Sequence, residues 1–415
     1  MLKQIYLIVL LGIIFPVAVF ARDAILVSEQ HVKSAFRDHI TFYAKFHGSD
    51  QILITEITLF YKLATQRTIS RNVVEFTPDV TVSVSFRIDQ TEIYFPPGTE
   101  LEYWWKVIDS EGRELQTERG KFLYLDERHN FHPLSNDRVT LYWYQGNDEF
   151  GQALFDQANK GLDQLETNVG IQVTHPIRIF IYANHDDLLG ALSLGVHEWT
   201  GGVAFTEMSV IAIGIEPNSL DWGLGAMTHE MTHLVIHQAT DNPYTNLPHW
   251  LDEGIAVYNE NPDELDSQFR EDFESAVTNN ELMTLQTLSS NFPADPVAAS
   301  LAYGESGSVV KFIIDTYGSD AMKHLLEIFS EGALYDDALQ ESLGVDMHGL
   351  DNAWRESLGL PPLPADATTA LPSPEPDMPQ DGIVIPTPEQ PGSGGRSCMA
   401  SLIFPVAGIW LKRRN

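Results

Sequence analysis

Apolar and polar residues alternate at short intervals over residues 24–126, which predicts a region built of strands. At Leu101, Tyr103, Trp105 and Val107 every second residue is apolar, and the turn 109–112 follows, as in a half-buried strand entering a hairpin. Strand signals occur at 24–32, 40–46, 52–62, 73–76, 81–88, 100–108 and 121–125. This spacing favours an all-β sandwich of the immunoglobulin or fibronectin type, and we place it at residues 22–128.

The pattern changes at about residue 135. Strands are predicted at 138–144 and 177–182, on either side of a helix at 150–169. A β-hairpin is predicted at 201–205 and 209–215, and helices follow through Trp354. We therefore expect a second, α+β domain at residues 135–360, which is long enough to bury a sizeable core.

One predicted helix of about twenty residues carries the chemistry. It begins near Asn218 to Asp221, ends before Asp241-Asn242-Pro243, and is apolar on nearly every side, so it should be buried. His229 and His233 lie one turn apart on the same face and can bind one metal ion. Glu230 lies beside that position, where a carboxylate can accept a proton from metal-bound water. This is the layout of a zinc hydrolase.

A catalytic zinc needs a third protein ligand. His237 is about 12 Å from His229 along the helix axis, whereas zinc-nitrogen bonds are about 2 Å, so one ion cannot bind both. Glu253 is the better candidate, on a second helix that begins at Pro248 and ends at Asn261-Pro262. It borders the apolar arc of that helix and can turn inward, whereas Asp252 should face water. Gly254 should allow the two helices to approach closely.

The run from Thr228 to Tyr258 resembles the gluzincin metallopeptidases, and specifically the peptidase MA-like group with its P-x-W-L-x-E-G-x-A helix, here residues 248–256. The interval between His233 and Glu253 matches the thermolysin-like one. The resemblance implies a thermolysin-like fold and one zinc ion per chain held by His229, His233 and Glu253. It also implies Glu230 as general base and a peptide or protein as substrate.

The resemblance also bears on other parts of the second domain. It implies that the hairpin at 201–205 supplies an edge strand for an extended substrate, and that Tyr303, which opens a downstream helix, donates to the oxyanion. Ordinary sheet pairing remains an alternative for the hairpin, and core packing for Tyr303. Thermolysin-like enzymes have an aspartate four residues after the ligand glutamate to orient a histidine, and Val257 stands there. An aminopeptidase G-x-M-E-N run is absent from its usual place, so the sequence does not support aminopeptidase specificity.

Both ends of the chain indicate export and attachment. Residues 1–21 read as a secretory signal peptide, with an uncleaved anchor as the alternative. Residues 361–397 are rich in proline and predict a disordered stalk. The tail 398–415 is short, apolar and ends in basic residues. It is similar to a bacterial sorting signal, and a plain tail anchor is the alternative.

The net charge and the cysteine count bear on the partners and the stability of the protein. The chain has 25 basic and 58 acidic residues and a formal net charge of −33, which disfavours nucleic acid as a partner. With Cys398 as the single cysteine, no intramolecular disulfide can form. We predict an exported, extracellular or cell-surface zinc metallopeptidase, anchored to the envelope or membrane through its tail. The alternative is a non-catalytic surface binding or adhesion protein with a structural or vestigial metal site.

Overall fold

A computed structural model describes residues 25–49, 51–192, 200–363 and 383–386. Over these residues a β-rich N-terminal region is followed by a mixed sheet and then by a series of helices. The predicted order, a β-rich region before a mixed and then helical one, is confirmed. The predicted signal peptide, most of the stalk and the tail lie outside the described residues.

The N-terminal region consists of two antiparallel sheets that enclose one apolar core. Phe42 and Phe46 from one sheet meet Tyr61, Tyr103 and Trp105 from the other. The first sheet has the order β1-β2-β5 and the second β4-β3-β6-β7, with β8 also paired to β6. The strands are β1 Ile25–Ala35, β2 His39–Gly48, β3 Ile54–Leu63, β4 Ser70–Val73, β5 Thr81–Asp89, β6 Glu100–Asp109, β7 Glu114–Gln116 and β8 Gly120–Leu123. The immunoglobulin or fibronectin type stays a prediction.

The hairpin after β6 forms as predicted. Gly112 has φ 78°, and the Asp109 carboxylate accepts from the backbone N–H groups of Glu111 and Arg113. The prediction of a strand at 73–76 was wrong in position, because β4 occupies Ser70–Val73 and pairs with β3. Strand β7 was missed because three residues are too few to show a period of two.

The second sheet positions the functional helices. Its strands are β9 His132–Ser135, β10 Val139–Trp143, β11 Ile177–Tyr182, β12 Thr200–Phe205 and β13 Val210–Gly214. The order β12-β13-β11-β10-β9 contains parallel pairs between β10, β11 and β13, while β12 and β9 are antiparallel to their neighbours. Helix α1, Asp148–Gln164, continues as one π turn at Leu165–Val169, and α2 spans His185–Ala191. The predicted hairpin is confirmed.

Between β13 and residue 363 the structure has eight helices: α3 Leu220–Thr240, α4 His249–Glu260, α5 Ser267–Asn279, α6 Leu285–Leu288, α7 Pro296–Tyr317, α8 Ser319–Ser330, α9 Tyr335–Leu343 and α10 Met347–Ser357. Helix α3 packs between α1, α4 and β12, and α7 packs against α4 and α5. Among the described helices α7 alone is long and apolar enough to cross a membrane, but its residues join the core of this domain. Tyr303 lies about two turns inside α7, not at a helix start as predicted.

A short strand lies within the predicted disordered stalk. Residues Ile383–Pro386 form β14, which pairs antiparallel with β12 and becomes the outermost strand of the second sheet. The prediction of disorder is therefore wrong for these four residues. Ile383, Val384 and Ile385 are β-branched, and β12 offers them a row of backbone donors and acceptors.

The N-terminal region and the second sheet are joined by hydrogen bonds around α2 and β11. Arg37 and Arg128 both donate to the Gly190 carbonyl, at 2.7 and 2.9 Å, and Tyr94 donates to the Ala191 carbonyl at 2.9 Å. The Tyr182 hydroxyl on β11 donates to the buried Asp126 carboxylate at 2.9 Å. The first region therefore braces the face of the sheet opposite α3.

Gly254 allows a close helix contact, but not the one predicted. It lies against α7, where an added Cβ would overlap the Ser306 carbonyl and approach Val310 Cγ2 to 2.8 Å. We expect Gly254→Ala to lower the free energy of unfolding by about 1–3 kcal/mol, because backbone cannot move aside as a side chain can. Urea unfolding measures the change.

The matched control is Gly225→Ala on α3. An added Cβ there has an ordinary contact of 3.4 Å with Glu260 Oε2. Alanine also favours a helix over glycine by up to about 1 kcal/mol, so this variant should be neutral or slightly stabilised. Equal destabilisation of both variants would contradict the proposed role of the α4-α7 contact.

A buried carboxyl on α7 should make stability depend on pH. Burial raises the pKa of Glu305 to about 8, against a partial opposing effect of the Met283 backbone N–H. Because the folded pKa is raised, the stability contribution is present in acid and is lost as pH rises through about 8. As the pH rises from roughly 5 to 9, the free energy of unfolding of Glu305→Gln should increase by about 1–3 kcal/mol relative to that of the wild type, as measured by urea unfolding. Glu356→Gln, on an exposed residue of α10, should show no such trend.

Candidate metal centre

Helix α3 places His229, Glu230 and His233 inside the protein. All three side chains are buried, with exposed fractions of 3%, 0% and 0%. The helix is apolar on nearly all sides and is covered by α1, α4 and β12. The predicted buried helix of about twenty residues is thus observed, and it begins and ends where the sequence indicates.

Helix α4 brings Glu253 to the two histidines. Glu253 Oε2 is 3.2 Å from His229 Nε2 and 3.4 Å from His233 Nε2. The three ligand atoms all lie within 4.8 Å of one another, and no other such group of three occurs among the described residues. The structure therefore brings together the three residues predicted to bind zinc.

The outward-facing nitrogens of both histidines are also held by carboxylates. His229 Nδ1 is 2.6 Å from Glu260 Oε1, and His233 Nδ1 is 3.0 Å from Asp252 Oδ1. A carboxylate at Nδ1 fixes the ring orientation and leaves Nε2 free for a metal. Asp252 also reaches His237 Nε2 at 3.2 Å. His237 thus lies behind the site and does not join it, as the axial distance predicted.

The prediction that Asp252 faces water was wrong. Its exposed fraction is 5%, because α4 is covered on both sides by α3 and α7. The arc of apolar residues on α4 alone could not reveal this, since two neighbouring helices bury more than one face. Burial alone would raise the pKa of Asp252, but His233 and His237 hold it well below its usual value.

Glu260 is the residue that sequence reasoning missed. It lies seven positions after Glu253, two turns along the same face, whereas the family pattern places the supporting acid at position 257. A search for any carboxylate at helical spacing after Glu253 would have found it. The helix pair is further fixed by Asn259, which donates to Thr232 Oγ1 at 2.8 Å.

Glu230 points into the same site without a strong partner. Neither carboxylate oxygen has a well-formed hydrogen bond among the described residues, and burial raises the pKa of Glu230 to about 7. The nearby charges of His233 and His229 oppose that rise, and the backbone amide of Ala204 on β12 opposes it further. A carboxyl with such a pKa can exchange protons near neutral pH.

The donor atoms of this site are of the kinds that bind zinc. Two imidazole nitrogens and one carboxylate oxygen converge, and His233 Nε2 and both Glu230 oxygens are buried without hydrogen bonds. Burial lowers the pKa of His229, but Glu253 and Glu260 raise it more strongly, to about 9. A cation in this position would replace protons that the histidines otherwise carry.

An aromatic wall flanks the candidate site. Tyr303 lies 6.2 Å from the His229 ring, between centroids, and packs against Phe269 and Phe292. Phe292 also contacts His249, whose Nε2 is 3.7 Å from Glu253 Oε1. The predicted site residue Tyr303 is thus close to the centre, and a role as oxyanion donor stays a prediction.

Several solved structures are distantly similar to this chain. OgpA from Akkermansia muciniphila is 14% identical over 25% of this chain and 28% of its own, with a TM-score of 0.20. The match thus spans less than a third of that protein. Aminopeptidase A from Legionella pneumophila, solved with aspartic acid, is 11% identical over 80% of this chain and 49% of its own, with a TM-score of 0.36. An M1 zinc metallopeptidase from Deinococcus radiodurans is 11% identical over 83% of this chain and 96% of its own, with a TM-score of 0.36.

Sequence comparison gives a clearer result. No curated protein matches the chain. The model of the Peptidase MA superfamily, however, matches residues 157–359, a range that contains α3, α4 and α7 with every residue of the candidate centre. This match, which covers a little under half of the chain, confirms the predicted resemblance.

Proposed function

We propose that this protein is a zinc metallopeptidase in which His229, His233 and Glu253 bind one zinc ion and Glu230 is the general base. The observation that carries the proposal is the convergence of three ligand atoms within 4.8 Å beside a buried, unpartnered carboxyl. The family match supports peptide-bond hydrolysis in general. The substrate is then a peptide or protein.

Each residue has a task that its position allows. A zinc ion held by the three ligands would acidify a water and polarise the scissile carbonyl. Glu230, a buried carboxyl beside the ligand atoms, would take a proton from the attacking water and pass it to the leaving amine. Tyr303 stands beside His229 and is the candidate donor to the oxyanion.

The carboxylates behind the histidines have a positioning task. Glu260 and Asp252 accept from Nδ1 of His229 and His233, which keeps Nε2 of each ring directed at the metal position. They take the place of the aspartate that the family pattern expects at position 257. The two supporting acids thus lie on α4 on either side of Glu253 in the sequence.

We also propose the setting of the enzyme from the sequence. Residues 1–21 would direct export, and 398–415 would attach the protein to the cell envelope, so that the enzyme acts outside the cell. An immunoglobulin- or fibronectin-like domain at 22–128 would act as a spacer or docking unit for the peptidase domain at 135–360. The stalk at 361–397 would hold both away from the surface.

Replacement of Glu230 tests the catalytic proposal. Glu230→Gln keeps the shape of the side chain and removes proton transfer, so we expect kcat/KM for a peptide substrate to fall roughly 100- to 10,000-fold. Zinc content, measured by elemental analysis, should stay at that of the wild type. Casein or a peptide library with chelator controls supplies the substrate.

The matched control is Glu271→Gln, on an exposed residue of α5. It should leave both zinc content and turnover unchanged. Equal turnover by Glu230→Gln and wild type would refute the base assignment. A wild-type protein that holds zinc tightly and cleaves none of these substrates would favour the non-catalytic alternative, a surface binding protein with a structural metal.

Replacement of Glu260 tests the positioning proposal. Glu260→Ala removes the Nδ1 partner of His229, so zinc affinity should fall about 10- to 100-fold. Glu260→Gln keeps an acceptor oxygen, so its zinc affinity should fall less than that of Glu260→Ala. Competition with a chromogenic chelator measures both affinities. An unchanged affinity in Glu260→Ala would show that the contact does not orient the ligand.

A further inference from the structure

The outer edge of β12 borders the candidate catalytic centre. Strand β12 packs on α3, and the Ala204 backbone amide lies close enough to the Glu230 carboxylate to lower its pKa. On its other side β12 pairs with β13, where Ala204 lies opposite Ile211. An edge strand presents unpaired N–H and C=O groups that an extended peptide can use. A chain paired there would lie along the catalytic face of α3.

In this structure that edge is taken by a segment of the same chain. Strand β14, Ile383–Pro386, pairs antiparallel with β12, with Ile383 opposite Ala204 and Val384 opposite Val203. The first of these pairs brings the start of β14 to the point of β12 that lies against Glu230. Helix α3 also contacts β14. The segment therefore lies where an extended substrate would have to pair.

The sequence of the segment suits this position. Ile383-Val384-Ile385 is a run of three β-branched residues within an otherwise proline-rich stretch, and such residues favour strands. Pro386 has no N–H and therefore marks the end of regular pairing. Leu363 and Ile383 are 20 residues apart in the sequence, which can span about 66 Å when extended. That exceeds the diameter of about 45 Å expected for a domain of this size, so the segment can return to its own β12.

We propose that Ile383–Pro386 is an intramolecular competitor that occupies the substrate edge of β12, so that substrates must displace it. The competition with substrates rests on the proposed peptidase function, whereas the pairing of β14 with β12 does not depend on it. A tethered segment is present at an effective concentration of up to about millimolar, so even weak pairing keeps the edge filled. Release of the segment, by cleavage of the chain before Ile383 or by its engagement elsewhere, would open the edge.

The test compares two double variants of the full-length, zinc-loaded protein. Adjacent residues of a strand point their N–H groups to opposite edges, so I383P/V384P removes whichever N–H faces β12. The control, T368P/T369P, adds two prolines elsewhere in the proline-rich stretch. Hydrogen exchange of the β12 amides at residues 200–205 reports docking, and kcat/KM for a peptide substrate reports competition.

We expect I383P/V384P to lose exchange protection in β12 and to lower KM, raising kcat/KM about three- to tenfold, because an occupant at millimolar effective concentration is removed. The control should behave as wild type. A synthetic peptide of residues 381–388 should inhibit the I383P/V384P variant competitively. Unchanged protection of β12 in I383P/V384P would overturn the docking.

Further outcomes distinguish failure of this proposal from failure of the proposed peptidase function. Protection of β12 that rises with protein concentration would show that a second chain supplies the strand, which overturns the intramolecular proposal. Loss of protection without any change in KM would overturn the competition. If no variant, including wild type, cleaves peptides while zinc is bound, the proposed function fails, but the exchange measurement still decides whether the segment docks.

Discussion

The structure depends on the burial of charged side chains between two helices. Seven ionisable side chains meet between α3 and α4, and five of them are buried: His229, Glu230, His233, Asp252 and Glu253, with His237 and Glu260 partly exposed. Unpaired, such groups would each cost several kcal/mol to bury. They are tolerated because nearly every imidazole nitrogen faces a carboxylate. That requirement fixes the register of α4 against α3, since Asp252, Glu253 and Glu260 must all meet α3.

The same pairing prepares the centre for a divalent cation. Bonds and charges from the surrounding carboxylates raise the pKa of His229 and His233 despite burial, so the position between the two rings favours positive charge. Zinc binding requires neutral imidazoles. The negative charge of Glu253, Asp252 and Glu260 would stabilise a bound cation in the same position.

The grouping of His229, His233 and Glu253 could be predicted from the sequence because their geometry is local. His229 and His233 share a face at a spacing of four, and Glu253 borders an apolar arc, so each can be identified within one helix. Asp252 could not be placed from its own helix, because its burial comes from α7 on the far side of α4. Glu260 lies beyond the interval that the family pattern suggests. Supporting acids depend on which neighbour they reach in the fold, and a single helix does not contain that information.

The second sheet encloses the candidate centre from the side of β12, because α3 packs against both α4 and β12. Helix α3 carries His229 and His233, α4 supplies Glu253, and the proposed base Glu230 lies near the Ala204 backbone amide of β12, which lowers its pKa. Under the proposed function, an extended chain paired with this strand would therefore lie beside Glu230. Composition predicts disorder for the proline-rich stretch because it describes that stretch in isolation. A run of three β-branched residues becomes a strand only when a free edge is available, and the edge beside Glu230 is the one that β14 uses.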